Sequence, residues 1–308
     1  MYTYISEHKF LRKEKNYGVC YDERLDYCLN VFYKIPIEDF YLLTLFDSFF
    51  TDEQIIEIID KSNYGDKNGT SWFKYLTECY GDILSKSDVK GKRKQIIKVN
   101  GYLDDDMTCE LVNKLSFPIM ASIRLNNYCD SKCKYCFNHS NRTNISQLEY
   151  EDVKNILEQL YKGGAATLNI TGGDPLCHPD IVKILQLIIS YGFSFKISTK
   201  KNLNHDFVKQ LKEIGLKGIQ ISIDSCDDSL NGYLLQKKDY YSKQKEAIQE
   251  LVDYGIEVDI NCVVNALNIK GIERLLLEAN NLGVTRLTLT PYLSVNREID
   301  QELMTAEN

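Results

Sequence analysis

Residues 161–175 read YKGGAATLNITGGDP. The end of a helix-favouring run meets two glycines, a short β-branched and apolar run follows, and a second glycine pair closes the stretch. Glycine just past a helix is the usual stop, because a left-handed residue there meets no Cβ clash. The order is therefore helix, stop, strand, turn. The same order recurs in SYGFSF, EIGLKG, DYGIEV and NLGVTR, each with a glycine ahead of a strand-like run. Strands are expected near 121–126, 167–172, 194–200, 218–224, 257–264 and 285–290. Such a βα series predicts a parallel sheet, and six units suggest a partial (β/α)6 barrel. Ser146–Glu149 in SQLE reads as a capping box, and Pro179 in HPDIV as a first-turn proline.

A parallel sheet covered on both faces should be almost continuously apolar, but these strands alternate. Ser122, Arg124 and Asn126 interleave with Ile123 and Leu125; Lys196, Ser198 and Lys200 with Phe195 and Ile197; Gln220, Ser222 and Asp224 with Ile219, Ile221 and Ile223; Arg286, Thr288 and Thr290 with Leu287 and Leu289. A period of two puts one set on each face. The apolar set is expected to meet the helices and the polar set to line an interior that binds something. Cys262 falls on the apolar side and is expected in the core.

After the first strand comes CDSKCKYCF, 129–137, with Cys129, Cys133 and Cys136 at the end of the sheet where parallel α/β folds bind ligands. Thiolates select zinc or iron–sulfur clusters. Zinc wants a fourth ligand nearby, and His139 is the candidate, although no second knuckle exists. A 4Fe–4S cluster with one iron left open fits three cysteines better. The other seven, Cys20, Cys28, Cys79, Cys109, Cys177, Cys226 and Cys262, are scattered and read mostly as buried small hydrophobes.

Cys129-x3-Cys133-x2-Cys136, with Tyr135 before the last cysteine and Phe137 after it, resembles the cluster loop of the radical S-adenosylmethionine (SAM) superfamily. TGGDP, at the end of the second strand, resembles that family's Gly-Gly-acidic segment, which holds the SAM amino group; Asp174 stands where Glu is commoner. Together the two motifs place about 118–300 in the family's pattern. The resemblance implies a 4Fe–4S cluster on three cysteines, with SAM held by Gly172, Gly173 and Asp174 and by polar residues facing inward. Those are Ser198 and Lys200 on the third strand, Ser222 and Asp224 on the fourth, and Asn265 after the fifth, with Tyr135 from the loop and backbone near Thr290 and Pro291. It implies an enzyme in which an electron from a flavodoxin- or ferredoxin-type donor leads to reductive cleavage of SAM and hydrogen abstraction from substrate.

Residues 1–88 have a different character. YGVCYD (17–22) and YCLNVFYKI (27–35) suggest a hairpin. Pro36 suits the first turn of a helix, Thr51 and Gln54 form a capping box, and a third helix is expected after Ser71. This is a small α+β, winged-helix-like domain. The polar run SKSDVKGKRKQ (85–95) reads as linker, giving domains at 1–88 and 118–308 with 89–117 between them. By its layout, the chain resembles radical SAM enzymes that modify ribosomally made peptides, whose N-terminal element binds the precursor's leader as an added strand.

That resemblance implies a precursor peptide as partner, modified by thioether or carbon–carbon cross-linking or by epimerisation. Cys226 and Cys177, after the fourth and second strands, are the candidate hydrogen donors for epimerisation. The 16 acidic and 10 basic side chains of 1–88 favour a basic leader. Many such enzymes continue into a domain binding auxiliary clusters; here the last cysteine is Cys262, so one cluster is expected. The alternatives are a radical SAM enzyme acting on a protein, of the sulfatase-activating type, or on a small molecule in cofactor biosynthesis. A non-catalytic iron–sulfur or zinc protein is the alternative of another class.

The net charge of −7 over 308 residues argues against nucleic acid as a partner, since the basic run KGKRK (90–94) is short. No apolar run is long enough to span a bilayer, and the N-terminus lacks a secretory core, so a cytoplasmic location is expected.

Overall fold

The computed structural model describes residues 1–14, 17–22, 32–62, 64–65, 67–91, 97–98, 117–136, 138, 144–294 and 297–304. The chain divides into two compact units. One is Met1–Ile119 with Leu160–Thr167; the other is Met120–Gln159 with Leu168–Asn308.

In the first unit, β1 (Tyr2–Ile5) pairs antiparallel with β5 (Leu84–Ser87). A second sheet has β2 (Lys9–Lys13), β3 (Tyr17–Asp22), β4 (Phe32–Pro36) and β6 (Ile97–Lys98) in the order β4-β3-β2-β6. The hairpin expected from the aromatic runs is the β3–β4 pair, in register from Tyr17↔Pro36 to Tyr21↔Phe32; residues 27–31 lie outside the described residues. Three helices follow: α1 (Ile37–Leu43), α2 (Asp52–Ser62) and α3 (Gly69–Cys79). Their apolar faces meet the sheets in a core that includes Leu11, Ile35, Phe40, Phe46, Ile55 and Leu76. Gly18 makes this packing possible, because a Cβ there would lie 2.0 Å from Cδ2 of Phe40.

The Thr51–Gln54 capping box forms as expected, at 2.9 and 3.3 Å. Three local readings are corrected. Pro36 ends β4 and is the N-cap of α1 rather than a residue of its first turn. The third helix begins at Gly69, where the Asn68 side chain accepts the Ser71 N–H at 2.8 Å. Ser85–Ser87, read as the start of a linker, pair with β1, and Ile97 and Lys98 run parallel to β2.

The second unit alternates strand and helix: β7 (Met120–Arg124), α4 (Tyr150–Gly163), β8 (Thr167–Thr171), α5 (Ile181–Ser190), β9 (Ser194–Thr199), α6 (His205–Glu213), β10 (Gly218–Ser222), α7 (Asp228–Leu235), α8 (Tyr240–Asp253), β11 (Glu257–Val264), α9 (Ile272–Asn281), β12 (Arg286–Pro291) and α10 (Arg297–Leu303). The strands lie in chain order, β12 to β7, in one parallel sheet that forms a partial barrel. The glycine stops are real: Gly164, Gly192, Gly215, Gly255 and Gly283 have φ of 81, 77, 77, 74 and 73°.

The alternation also holds across most of the sheet. Ile123, Leu168, Ile170, Ile197, Ile221 and Ile260 are buried, while Asn169, Lys196, Ser198, Gln220 and Asn261 are half-buried. Strand β12 departs from it, since Leu289 is 47% exposed. The SQLE capping box does not form. Ser146 instead exchanges hydrogen bonds with Asn127, donating to its Oδ1 at 2.8 Å and accepting its N–H at 3.0 Å, and α4 starts at Tyr150. Pro179 lies outside α5, before its N-cap Asp180.

Candidate functional site

The cysteine loop leaves the C-terminal end of β7 and is seated from two sides by main-chain hydrogen bonds. On one side lies TGGDP. Leu125 N–H donates to Thr171 O (2.8 Å), Gly173 N–H to Asn126 O (2.9 Å) and Asp174 N–H to Tyr128 O (2.8 Å). The Asn126 amide returns a bond to Asp174 O at 3.1 Å. A Cβ on Gly173 would lie 2.2 Å from the Tyr128 carbonyl oxygen, and one on Gly172 would lie 2.8 Å from Asn126 Oδ1. The close backbone approach these glycines allow is thus to the cysteine loop itself.

On the other side is the end of α7. Helix C-termini leave their last carbonyls without intrahelical partners. Here Leu235 O accepts from Lys132 N–H (3.1 Å) and Leu234 O from Lys134 N–H (2.9 Å). The loop then closes with Cys136 N–H to Cys133 O at 3.2 Å.

Cys129 is buried, and Cys133 and Cys136 are half-buried. Burial pushes the Cys129 thiol up and that of Cys133 up to about 12, so metal binding must displace protons. Among the described residues, Cys129 Sγ groups with carboxylate oxygens of Asp130 and Asp174, all within 4.8 Å of one another, and the three thiols do not form such a group. A tetrahedral zinc, with Zn–S near 2.3 Å, would bring its sulfurs to about 3.8 Å apart. Three thiols on one loop are the donor chemistry that an iron–sulfur cluster takes. The acids beside Cys129 are already engaged, Asp174 within the fold and Asp130 by Lys237 at 2.8 Å. Phe137 and His139, the zinc candidate, lie outside the described residues.

Asp174 is 3% exposed. Its carboxylate accepts from Thr199 Oγ1 (2.9 Å), Lys200 N–H (2.7 Å) and Leu176 N–H (3.0 Å). It therefore fastens the end of β9 to the glycine turn. Burial pushes its carboxyl upward against those donors. Asp224, 1% exposed, accepts from the Tyr135 hydroxyl and from Val263 N–H at 2.9 Å. Burial, with the Asp224 carboxylate second, drives the Tyr135 phenol well above its ordinary value. Lys200 Nζ lies 5.6 Å from the Tyr135 ring centre. Burial pulls this ammonium down, but Asp224, Cys133, Asp174 and Cys129 together push it up, and the net shift is upward. Tyr135, Lys200 and Asp224, chosen from three separate segments, are thus brought together beside the cysteines.

Ser198 and Ser222 meet through their hydroxyls at 3.4 Å. Asn265 is different: its amide donates to Val263 O (3.1 Å) and its Oδ1 accepts from Leu267 N–H (3.0 Å), so its side chain is spent on its own turn. Cys177 ends a short turn after TGGDP near Asp130, with its thiol pushed up to about 12 by burial. Cys226 is buried beside Tyr241, with Glu278, Arg274 and Lys245 near it, on the side of α8 and α9. Cys262 is fully buried. Sequence reasoning missed Tyr240, whose hydroxyl donates to Ser222 O at 2.8 Å from full burial, and Lys237. Neither stands in a motif, and only the fold brings them to the loop.

GTP 3',8-cyclase of Aliarcobacter butzleri is 30% identical to this chain over 142 residues, 44% of this chain and 43% of the cyclase. The antilisterial bacteriocin subtilosin biosynthesis protein AlbA of Bacillus subtilis is 24% identical over 211 residues, 67% of this chain and 46% of AlbA. Among solved structures, Streptococcus suis SuiB bound to precursor peptide SuiA has the same fold, with a TM-score of 0.64 and 21% identity across 94% of this chain and 63% of SuiB. The chain thus spans less than half the length of those two curated relatives. The Radical SAM superfamily sequence model matches residues 123–279, which include the three loop cysteines, TGGDP and every strand from β8 to β11. With half the chain matched and the loop seated where that pattern requires it, the protein belongs to the radical SAM superfamily.

Proposed function

We propose that this radical SAM enzyme modifies a ribosomally made precursor peptide whose leader docks on the N-terminal unit. The observation carrying this reading is the first unit's second sheet. Among the described residues, β4 is a terminal strand of that sheet, and three helices follow it. A terminal strand is where an extended peptide can add as a further strand. The fold shared with SuiB extends over 94% of this chain, N-terminal unit included, and the SuiB structure holds its precursor peptide. The cyclase match covers 44% of the chain.

Superfamily members use a 4Fe–4S cluster and SAM, which supply the one-electron chemistry that removes hydrogen from a substrate. In this chain Cys129, Cys133 and Cys136 would hold the cluster. The Lys200 ammonium suits a carboxylate, as a charge-assisted hydrogen-bond donor. The Asp224 carboxylate retains acceptor capacity beyond its two donors. Ser198 and Ser222 present hydroxyls on the polar face of the sheet. We place the enzyme in the cytoplasm with a flavodoxin- or ferredoxin-type electron donor; no helix among the described residues is long and apolar enough to cross a membrane.

The test is co-expression with a short peptide encoded beside the gene, followed by mass analysis of the peptide. A SAM-dependent mass change, or formation of D-residues, supports the reading. An unmodified peptide, together with SAM cleavage stimulated by GTP or another small molecule, would replace it with cofactor-type chemistry.

A further inference from the structure

Lys237 lies in the corner joining α7 to α8, outside every motif of the superfamily pattern, yet its side chain is 8% exposed. An ammonium this buried needs partners. It has an Asp130 carboxylate oxygen at 2.8 Å, the Lys200 carbonyl oxygen at 2.6 Å and the Tyr240 ring centre at 5.6 Å. Asp130 directly follows Cys129, and its carboxylate shares a 4.8 Å group with that thiol and Asp174. Lys200 follows the end of β9. One side chain therefore ties the residue after the first cysteine of the loop to the residue after β9, whose own cation lies near Cys133.

The corner is built to hold it there. Among the described residues only three non-glycine residues have positive φ, and two of them, Gln236 at 57° and Asp239 at 53°, flank Lys237. Left-handed backbone is unfavourable for residues with a Cβ. It persists where the surroundings over-determine it. Asp228, in the first turn of α7, accepts from Tyr241 N–H at 2.6 Å and so fixes the start of α8. The last carbonyls of α7 hold Lys132 and Lys134.

We propose that Lys237 is a positioning residue that neutralises Asp130, and through it sets both the retention and the reduction potential of the cluster on Cys129. A bare carboxylate beside the cluster opposes the negative charge that an electron adds, although solvent screens part of it, the Asp130 side chain being 33% exposed. The ammonium at 2.8 Å removes it. The proposal rests on membership in the superfamily and is independent of the substrate.

The experiment compares the cluster-loaded wild type with Lys237→Met, Lys237→Arg, Asp130→Asn and the double variant Lys237→Met/Asp130→Asn. It measures the midpoint potential, the rate of cluster bleaching by chelator, and the melting temperature of the cluster-free chain. Lys237→Met is expected to have a more negative potential and to bleach about tenfold faster, the scale for a pair with one partly exposed partner. Asp130→Asn should shift the potential the opposite way. The double variant should return close to wild type in potential, and Lys237→Arg should retain it. An unmoved potential in Lys237→Met, or single shifts of the same sign that add in the double variant, would show that the lysine only packs. If Lys237→Met fails to fold, Asp130→Asn and Lys237→Arg decide the matter: a potential unchanged in the first, or lost in the second, overturns the proposal.

Discussion

Gly173→Ala is expected to empty the metal site without any change to a cysteine. The added Cβ would lie 2.2 Å from Tyr128 O, 2.4 Å from its carbonyl carbon and 2.8 Å from Asn127 O. All three are backbone atoms, so no rotamer change relieves the clash. Either TGGDP or the cysteine loop must move, and the 2.9 and 2.8 Å bonds from Gly173 and Asp174 go with it. Each bond contributes about 1 kcal/mol net, and overpacking adds ~1–3 kcal/mol. The sum, about 3–5 kcal/mol, corresponds to roughly two to three and a half decades in cluster affinity. Gly172→Ala serves as the comparison. Its closest neighbour is Asn126 Oδ1 at 2.8 Å, the end of a side chain that can shift at the expense of its bonds to Gly173 N–H and Asp174 O, and its backbone contact is longer, at 3.0 Å. It should cost ~1–2 kcal/mol. Iron and sulfide per chain after anaerobic reconstitution, with a thermal melt of the cluster-free chain, measure both variants. A Gly173→Ala chain that loads fully and melts with the wild type would refute the seating of the loop against TGGDP.

Tyr135→Phe removes a buried donor from the Asp224 carboxylate. Hydrogen bonds to charged groups contribute about 1.5–3 kcal/mol, so urea unfolding of the cluster-free chain should show a loss of that size, and no loss would dissolve the Tyr135–Asp224 link. Gly18→Ala would put a methyl 2.0 Å from the Phe40 ring in the core of the first unit. It should destabilise that unit by ~1–3 kcal/mol or more and weaken peptide binding, read by fluorescence titration; unchanged affinity and stability would contradict the packing described. In the cluster-free chain, burial pushes the Cys133 thiol up to about 12. The thiolate is the reactive form, so Cys133 alkylation should quicken about tenfold per pH unit and keep rising to about pH 11; a plateau near pH 9 would mean that burial does not hold the thiol protonated.

The barrel was legible because its signals are local. A glycine stop, such as Gly192 or Gly255, and the two-residue period of Lys196, Ile197 and Ser198 are each decided within a few residues. The three cysteines were legible for the same reason. Strands β1 and β5 were not, since YTYI and LSKS are short, and LSKS takes its structure from a partner about 80 residues away. The roles of the acids were hidden in the same manner. Nothing near Asp174 announces Thr199, and nothing near Asp224 announces Tyr135, 89 residues earlier. Asn265 shows a further limit: an Asn just past a strand can bond its own turn, as this side chain does with Val263 O and Leu267 N–H, and nothing in the sequence announces it.

The way the cysteine loop is held bears on why so little sequence is shared among proteins of this fold. A chain with 21% identity to SuiB keeps its architecture over 94% of its length, so what positions the site must tolerate side-chain replacement. Main-chain bonds do. Leu235 O and Leu234 O accept from Lys132 and Lys134, and Gly173 and Asp174 N–H donate to Asn126 and Tyr128 carbonyls, whatever the side chains outside. Only a few positions are then restricted in type: the three thiols, and the glycines whose missing Cβ admits the loop. Lys196 and Gln220, half-buried on the polar side of the sheet, stand outside that set. Under the proposed function, that division assigns substrate preference to such positions and the one-electron chemistry to the cluster held by the loop. Replacing Gln220 or Lys196 should therefore change which substrates are modified while leaving cluster loading intact.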